Sequence, residues 1–114
     1  MHVNNETGIT QNIAEIADIC QENQILFHCD AAQSVGKIKL DLKHLPIDLL
    51  SISSHKLYGP QGLGALYLKK ESRNKISPLL FGGEKGKCLR PGTLPVEQIV
   101  GVCVAARVGS GRRA

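Results

Sequence analysis

Aromatic residues are scarce in this sequence. Phe, Trp and Tyr make up 4% of its 114 residues, and Trp is absent. A hydrophobic core must therefore be built from Ile, Leu, Val and Ala, which the hydrophobic fraction of 42% supplies. No apolar run approaches the ~18 residues that a membrane helix needs, so no membrane partner is expected. The composition is typical of one soluble globular domain and excludes disordered and collagen-like chains.

Charge of one sign is not in large excess either. The net charge is +4, from 14 basic and 10 acidic residues. Three of the basic residues are Arg107, Arg112 and Arg113 near the C-terminus, so the rest of the chain is nearly neutral. This charge balance is not typical of a nucleic-acid-binding protein, and no nucleic-acid partner is predicted. The sequence shows no secretory signal, which predicts a cytoplasmic location.

The four cysteines form no C-x-x-C pair, so neither a disulfide framework nor a metal site is expected. His28 and Cys29 cannot converge on one ion, because adjacent strand residues point to opposite faces. Cys20 and Cys103 fall on apolar helical faces, and Cys29 lies in an apolar strand. These three are predicted to be small buried hydrophobic residues. Cys88, in a Gly/Lys-rich loop, is the candidate for an exposed reactive thiol.

Hydrophobic patterning predicts helices and strands along the chain. One helix is predicted after a cap at Asn12, and another from Pro95 to Val108. Short apolar runs predict strands at 25–29, 47–53 and 63–68, and residues 2–5 resemble the end of a further strand. This order predicts an α/β fold with a mostly parallel sheet and helices packed on it.

Three polar clusters lie at the carboxyl ends of predicted strands, where open α/β sheets place their chemistry: Asn4-Asn5-Glu6, the segment 30–33, and Ser53-Ser54-His55-Lys56. Taken singly, each reads as a turn, a helix cap or a solvated loop. Taken together, they offer a lysine amine for an aldehyde, a carboxylate for a pyridinium nitrogen, and hydroxyl and imidazole groups for a phosphate. Amide side chains can bind a ring oxygen. Pyridoxal 5′-phosphate has all four of these features.

Four segments carry a family resemblance: 2–8, 28–37, 51–60 and 90–95, which read HVNNETG, HCDAAQSVGK, SISSHKLYGP and RPGTLP. In this order and spacing they resemble the cysteine desulfurases, which are class V, fold-type I enzymes that depend on pyridoxal phosphate. The resemblance covers about residues 1–107. It implies the central part of the large cofactor-binding domain over residues 1–108, followed by a short non-matching tail at 109–114.

The resemblance also implies roles for individual residues. Lys56 is implied as the catalytic Schiff-base lysine and proton shuttle, and Asp30 as the partner of the pyridine nitrogen. Thr93 is implied to reach the phosphate of a neighbouring subunit, and hence a homodimer. The remaining implied cofactor-binding residues are Asn5 and Gln33 for the ring hydroxyl, and Ser53 and His55 for the phosphate.

The implied reaction converts L-cysteine to L-alanine and transfers sulfur to an enzyme cysteine as a persulfide. The implied partner is an iron–sulfur scaffold or another sulfur-acceptor protein. None of the four cysteines matches the family's persulfide position, so the isolated chain is expected to be inactive. Two alternatives stay open: a piece of a selenocysteine lyase or another class V enzyme, and a non-catalytic piece that associates with an intact subunit.

Overall fold

A computed structural model describes residues 1–82 and 89–111, so the prediction on Cys88 lies outside the described residues. In chain order the elements are α1 (Ile13–Glu22), β1 (His28–Asp30), β2 (Leu49–Ser53), a 3₁₀ turn (Ser54–Leu57), β3 (Gly64–Leu68), a second 3₁₀ turn (Lys70–Lys75) and α2 (Val96–Gly111). Two α-helices flank three strands, and the helix after Asn12, the short strands and the C-terminal helix occur in the predicted order. The α/β class is therefore confirmed.

Helix α1 begins at the predicted cap. The Asn12 side chain accepts a hydrogen bond from the Glu15 backbone N–H at 3.4 Å and donates one to the Glu15 carboxylate at 3.0 Å. This reciprocal pair satisfies polar groups that the first helical turn leaves free. Ile13 and Ala17 lie one turn apart and are buried, which fixes the face that α1 turns to the core.

The three strands form one sheet in the order β1-β2-β3. β1 pairs with β2 in parallel, and β2 pairs with β3 in antiparallel orientation. The connection 31–48 is long enough for the crossover that parallel strands require, whereas the connection 54–63 is short and contains no helix that crosses back. The parallel arrangement predicted from the sequence therefore holds for the first pair, and the described sheet is mixed.

One face of the sheet contributes to the core. Cys29 and Leu50 point to this face and pack with Ile13, Ala17 and Ile47. The prediction that Cys29 is buried is confirmed, and burial raises the pKa of its thiol. Because side chains alternate along a strand, the neighbours of Cys29 on β1 point to the opposite, polar face. The core thus orients β1 so that its acidic residue faces away from the apolar cluster.

Helix α2 packs against the first 3₁₀ turn and the loop that follows it. Only that side of the helix is covered, while Val100, Val104 and Cys103 remain exposed on its other sides. The prediction that Cys103 is buried is therefore wrong. Apolar residues lie on most sides of α2, but only one side of the helix packs against other described residues, and Cys103 is not on that side. Cys20 is half-buried. Among the described residues, no helix is both long and apolar enough to cross a membrane.

Candidate functional site

The predicted polar clusters meet at one edge of the sheet. β1 and β2 are parallel, so their carboxyl ends lie side by side, with Asp30 paired in register with Ser51. The Ala31 backbone N–H donates to the Ser51 carbonyl at 3.0 Å, and the His2 N–H donates to the Asp30 carbonyl at 2.8 Å. The segment that carries the first cluster is therefore tied directly to the end of β1.

Asp30 ends β1 and is half-buried. Its Oδ1 accepts a hydrogen bond from the Ala32 backbone N–H at 2.9 Å, which fixes the orientation of the carboxylate. Within the described part of the chain, Oδ2 has no donor and can accept one from a ligand. Gln33 lies three residues further on, half-buried in a turn that begins with a hydrogen bond from the Ser34 N–H to the Ala31 carbonyl at 3.0 Å.

The 3₁₀ turn Ser54–Leu57, here called the lysine turn, continues directly from the end of β2. The Ser53 hydroxyl lies 3.1 Å from His55 Nδ1 in hydrogen-bonding distance. His55 and Lys56 are exposed, and Lys56 forms no ion pair with any described residue. The sequence order at the end of β2 thus places a hydroxyl, an imidazole and an unpaired amine next to one another.

Asn5 lies in a tight turn between Val3 and Thr10, which form an isolated antiparallel bridge. Its neighbour Asn4 holds this turn, because the Asn4 Oδ1 accepts hydrogen bonds from the Glu6 and Thr7 backbone N–H groups, both at 2.9 Å. Asn5 itself is exposed. Of the two adjacent asparagines, one supports the backbone and the other keeps its amide available to a ligand.

Thr93 is not brought into this cluster. It is exposed and lies shortly before α2, and it makes no hydrogen bond to the other predicted site residues in the described ranges. The resemblance assigns its contact to a neighbouring subunit, so a position outside the cluster within one chain is compatible with that role. The contact itself stays a prediction.

A further polar pair on the same face was missed by sequence reasoning. His28 Nε2 lies 2.7 Å from the Ser51 hydroxyl, and both residues share a face with Asp30 because they occupy alternate strand positions. The sequence signal for this face is the two-residue alternation of a strand. It groups residues 28 and 30 of β1 with residues 49, 51 and 53 of β2. The pair adds an imidazole and a hydroxyl beside the Asp30 carboxylate.

Two polar atoms in this region are buried without a hydrogen-bond partner among the described residues: His2 Nδ1 and Ser54 Oγ. Burial, together with the nearby terminal ammonium group, lowers the pKa of His2. Its side chain is therefore neutral near pH 7. Neither residue faces solvent, so both belong to the support of the sheet edge rather than to its accessible surface.

The chemistry of these groups fits pyridoxal phosphate. Asp30 offers a carboxylate oxygen for a ring N–H, and Lys56 offers an unpaired amine for an aldehyde. Ser53 and His55 offer neighbouring hydrogen-bonding groups for a phosphate. Within residues 1–82 and 89–111, no group of three or more His, Cys, Asp or Glu side chains is placed to hold a metal ion.

Residues 1–110 match the protein family described as Aminotransferase class-V. The chain is 55% identical over 108 residues to the cysteine desulfurase IscS of Buchnera aphidicola subsp. Baizongia pistaciae. That match covers 95% of this chain and 27% of the relative. The chain therefore spans about a quarter of the length of this curated relative, and the resemblance drawn from the four sequence segments is confirmed.

Solved structures agree with the sequence comparison. The structure described as SspA in complex with cysteine superposes with a TM-score of 0.86 at 46% identity, covering 93% of this chain and 30% of that one. DndA from Streptomyces lividans superposes with a TM-score of 0.86 at 44% identity, covering 97% of this chain and 32% of that one. The predicted fold class, the central part of a fold-type I large domain, is confirmed by these likenesses.

Proposed function

The chain belongs to the class-V aminotransferase family, and from that premise we propose that it is part of a cysteine desulfurase that uses pyridoxal phosphate. The proposed substrate is L-cysteine, whose C–S bond breaks to leave alanine while the sulfur passes to an enzyme cysteine as a persulfide. The name of the relative at 55% identity supports this reaction, as does the cysteine bound in the superposed SspA structure.

The observation that carries the proposal is the register of β1 against β2. It sets Asp30 beside Ser51, so that Ser53, His55 and Lys56 follow within one short stretch of chain at the same edge. Ser53 lies two positions after Ser51 on β2, a rise of roughly 7 Å. A ligand held by Asp30 at one end and by Ser53 and His55 at the other would span a distance of this order.

Bound pyridoxal phosphate supplies an electron sink that stabilises negative charge at the substrate Cα. The chain's own residues hold and orient it. Asp30 would hold the ring nitrogen through its free carboxylate oxygen, and Lys56 would hold the aldehyde end and move a proton at the Cα of cysteine. Ser53 and His55 would hold the phosphate, and Asn5 and Gln33 would hold the ring hydroxyl.

The wider assignments belong to the same proposal. Thr93 reaches the phosphate bound by a second subunit, which makes the active form a homodimer. The sulfur then passes to an iron–sulfur scaffold or another acceptor protein. The proposed location of this activity is the cytoplasm.

The test is to trap the cofactor on the chain. Pyridoxal phosphate is added to the 114-residue protein, the linkage is reduced with borohydride, and the modified peptide is identified by mass spectrometry. We expect the modification on Lys56 and a visible absorbance band that Lys56→Ala abolishes. Lys37→Ala and Lys69→Ala serve as matched controls that retain the band. Modification of Lys37 or Lys69 in place of Lys56 would refute the assignment.

A second variant tests the ring-nitrogen contact. Asp30→Asn removes a charged acceptor, and a hydrogen bond to a charged group contributes about 1.5–3 kcal/mol, so the cofactor is expected to bind roughly tenfold or more weakly. Asp18→Asn, on the exposed face of α1, makes the same charge change away from the site. Equal binding by Asp30→Asn and Asp18→Asn would contradict the role of Asp30.

A further inference from the structure

Glycines lie at or near the segment that carries Lys56, at positions where an added Cβ would make a tight contact. A Cβ at Gly36 would collide with Cδ1 of Leu57, the last residue of the lysine turn. At Gly59 a Cβ would lie 2.5 Å from the Ser54 hydroxyl, and at Gly101 it would lie 3.0 Å from the ring of Pro60. Two of these contacts reach residues 54–60 from elsewhere in the chain, and the third, between Gly59 and Ser54, lies within that segment.

Helix α2 supplies one of these contacts through a face of small residues. Gly101, Ala105 and Gly109 recur every four residues and therefore lie on one face of the helix. The Ala105 Cβ lies 3.4 Å from where a Cβ on Gly59 would be, and Gly101 lies against Pro60. The absence of larger side chains lets the helix approach the backbone just beyond the lysine turn.

The lysine turn itself is anchored on both sides of Lys56. Ser54 and Leu57 are buried, with 1% and 5% of their surface exposed, whereas His55 and Lys56 between them are exposed. The Gly59 backbone N–H donates to the Ser54 carbonyl at 3.0 Å and closes the turn. A shift of residues 57–60 is therefore transmitted to the backbone of Lys56.

We propose that Gly36, Gly59 and Gly101 are positioning residues that hold the lysine turn in the one place from which Lys56 reaches the cofactor. This inference rests on the proposed function, because it concerns the lysine that the proposed chemistry uses. All three glycines lie outside the lysine turn, which spans Ser54–Leu57. They act through Leu57, Ser54 and Pro60, whose positions they permit.

The experiment uses Gly101→Ala with a matched glycine on the same helix. A Cβ at Gly101 forces the Pro60 ring to move by a few tenths of an ångström, while a Cβ at Gly109 meets Leu57 at 3.6 Å, an ordinary contact. Both substitutions replace a helical glycine by a better helix former, and only the one at Gly101 forces a tight contact with Pro60. Pro60→Ala removes the ring atoms that a Cβ at Gly101 meets, and so provides a rescue in the double variant.

Two readouts separate positioning from stability. The first is hydrogen exchange of the Gly59 amide without cofactor, and the second is the dissociation constant for pyridoxal phosphate, measured by the visible band of the Lys56 adduct. We expect faster Gly59 exchange in Gly101→Ala and roughly tenfold weaker cofactor binding, since small displacements of reacting groups are costly. Gly109→Ala should match the unsubstituted chain, and Gly101→Ala with Pro60→Ala should return within about twofold of it.

The results of these measurements can refute or support the positioning role of the glycines. Unchanged exchange and binding in Gly101→Ala, or no rescue by Pro60→Ala, would overturn the inference. A chain that forms no Lys56 adduct, yet shows faster Gly59 exchange in Gly101→Ala and its rescue, would refute the proposed function and support the positioning of the turn. If circular dichroism shows that Gly101→Ala does not fold, Ala105→Ser, which adds one atom facing Gly59, replaces it with the same expected direction.

Discussion

Replacing Asp48 by alanine should destabilise the sheet at the end opposite the candidate site. Asp48 immediately precedes β2, and its carboxylate accepts hydrogen bonds from the Phe27 backbone N–H at 2.9 Å and from the buried Ser72 hydroxyl. Its own carbonyl accepts the Lys69 N–H at 2.8 Å. One side chain therefore joins the segment before β1, the start of β2 and the turn after β3.

The expected magnitude follows from these two side-chain hydrogen bonds. Each bond to a charged acceptor contributes about 1.5–3 kcal/mol, and solvent replaces part of this at a half-buried group, so Asp48→Ala should cost about 2–4 kcal/mol. Asp48→Asn keeps one acceptor for the Phe27 N–H, and its amide can donate to the Ser72 oxygen, so it should cost about 1 kcal/mol. Comparing the two variants therefore separates the effect of losing the hydrogen bonds from the effect of losing the charge.

The assay is denaturation by guanidinium chloride followed by circular dichroism at pH 7. Asp18→Ala, on the exposed face of α1, is the matched control and should lie within about 0.5 kcal/mol of the unsubstituted chain. The reasoning would be refuted if Asp48→Ala were as stable as Asp18→Ala. Equal losses in Asp48→Ala and Asp48→Asn would show that the charge alone, and not the hydrogen-bond geometry, provides the stability.

Acidification tests the same group independently. Burial by itself raises the pKa of Asp48, but hydrogen bonds from Ser72 and from the Phe27 N–H outweigh it and hold the pKa below its ordinary value. A carboxyl group with a depressed pKa stabilises the fold fully above its unfolded-state pKa of about 3.9, and this contribution is lost as the pH falls through the lower folded value. The stability difference between the unsubstituted chain and Asp48→Asn should therefore shrink below about pH 4. A constant difference would contradict this assignment.

Three further predictions concern thiols, activity and assembly. Cys29 is 2% exposed and burial raises its pKa, so an alkylating reagent should modify exposed Cys103 before Cys29; faster labelling of Cys29 would contradict the fold. Incubated with cysteine, pyridoxal phosphate and a reductant, the 114-residue chain should release no alanine, because none of its cysteines matches the persulfide position; turnover on the order of 1 per second would overturn this prediction. Leu79 and Phe81 are 94% and 84% exposed, so the chain should self-associate in size-exclusion chromatography, and Leu79→Ser with Phe81→Ser should shift it toward monomer; a monomer peak for the unsubstituted chain would count against this.

Local features of the fold could be predicted from the sequence because neighbouring residues determine them. The cap at Asn12 and the helix after it depend on contacts within one turn, and they occur where predicted. The apolar run before Ser53 and the polar residues after it likewise define where β2 ends and the lysine turn begins. The order of chemical groups along the site is thus a property of the sequence itself.

Tertiary contacts decided the strand limits and the orientation of β3. The apolar run from Ile25 predicts a strand, yet β1 begins at His28, because the Ile25 N–H donates to the Cys20 carbonyl at 2.8 Å and completes the end of α1. β3 has strand-like patterning, but its antiparallel direction follows from the short connection out of the lysine turn. Patterning within a strand carries no information on the direction of its neighbour.

The assembly of the site also required the tertiary structure. Pairing between β1 and β2 brings Asp30 next to Ser51, although 21 positions separate them in the chain, and it creates the His28–Ser51 contact that the sequence did not reveal. The exposure of Cys103 was decided in the same way, since α2 is apolar on several sides and only packing shows which side is covered. Residue type and spacing determine what each element can contact, whereas register and packing determine which of those contacts form, because they depend on groups that are distant along the chain.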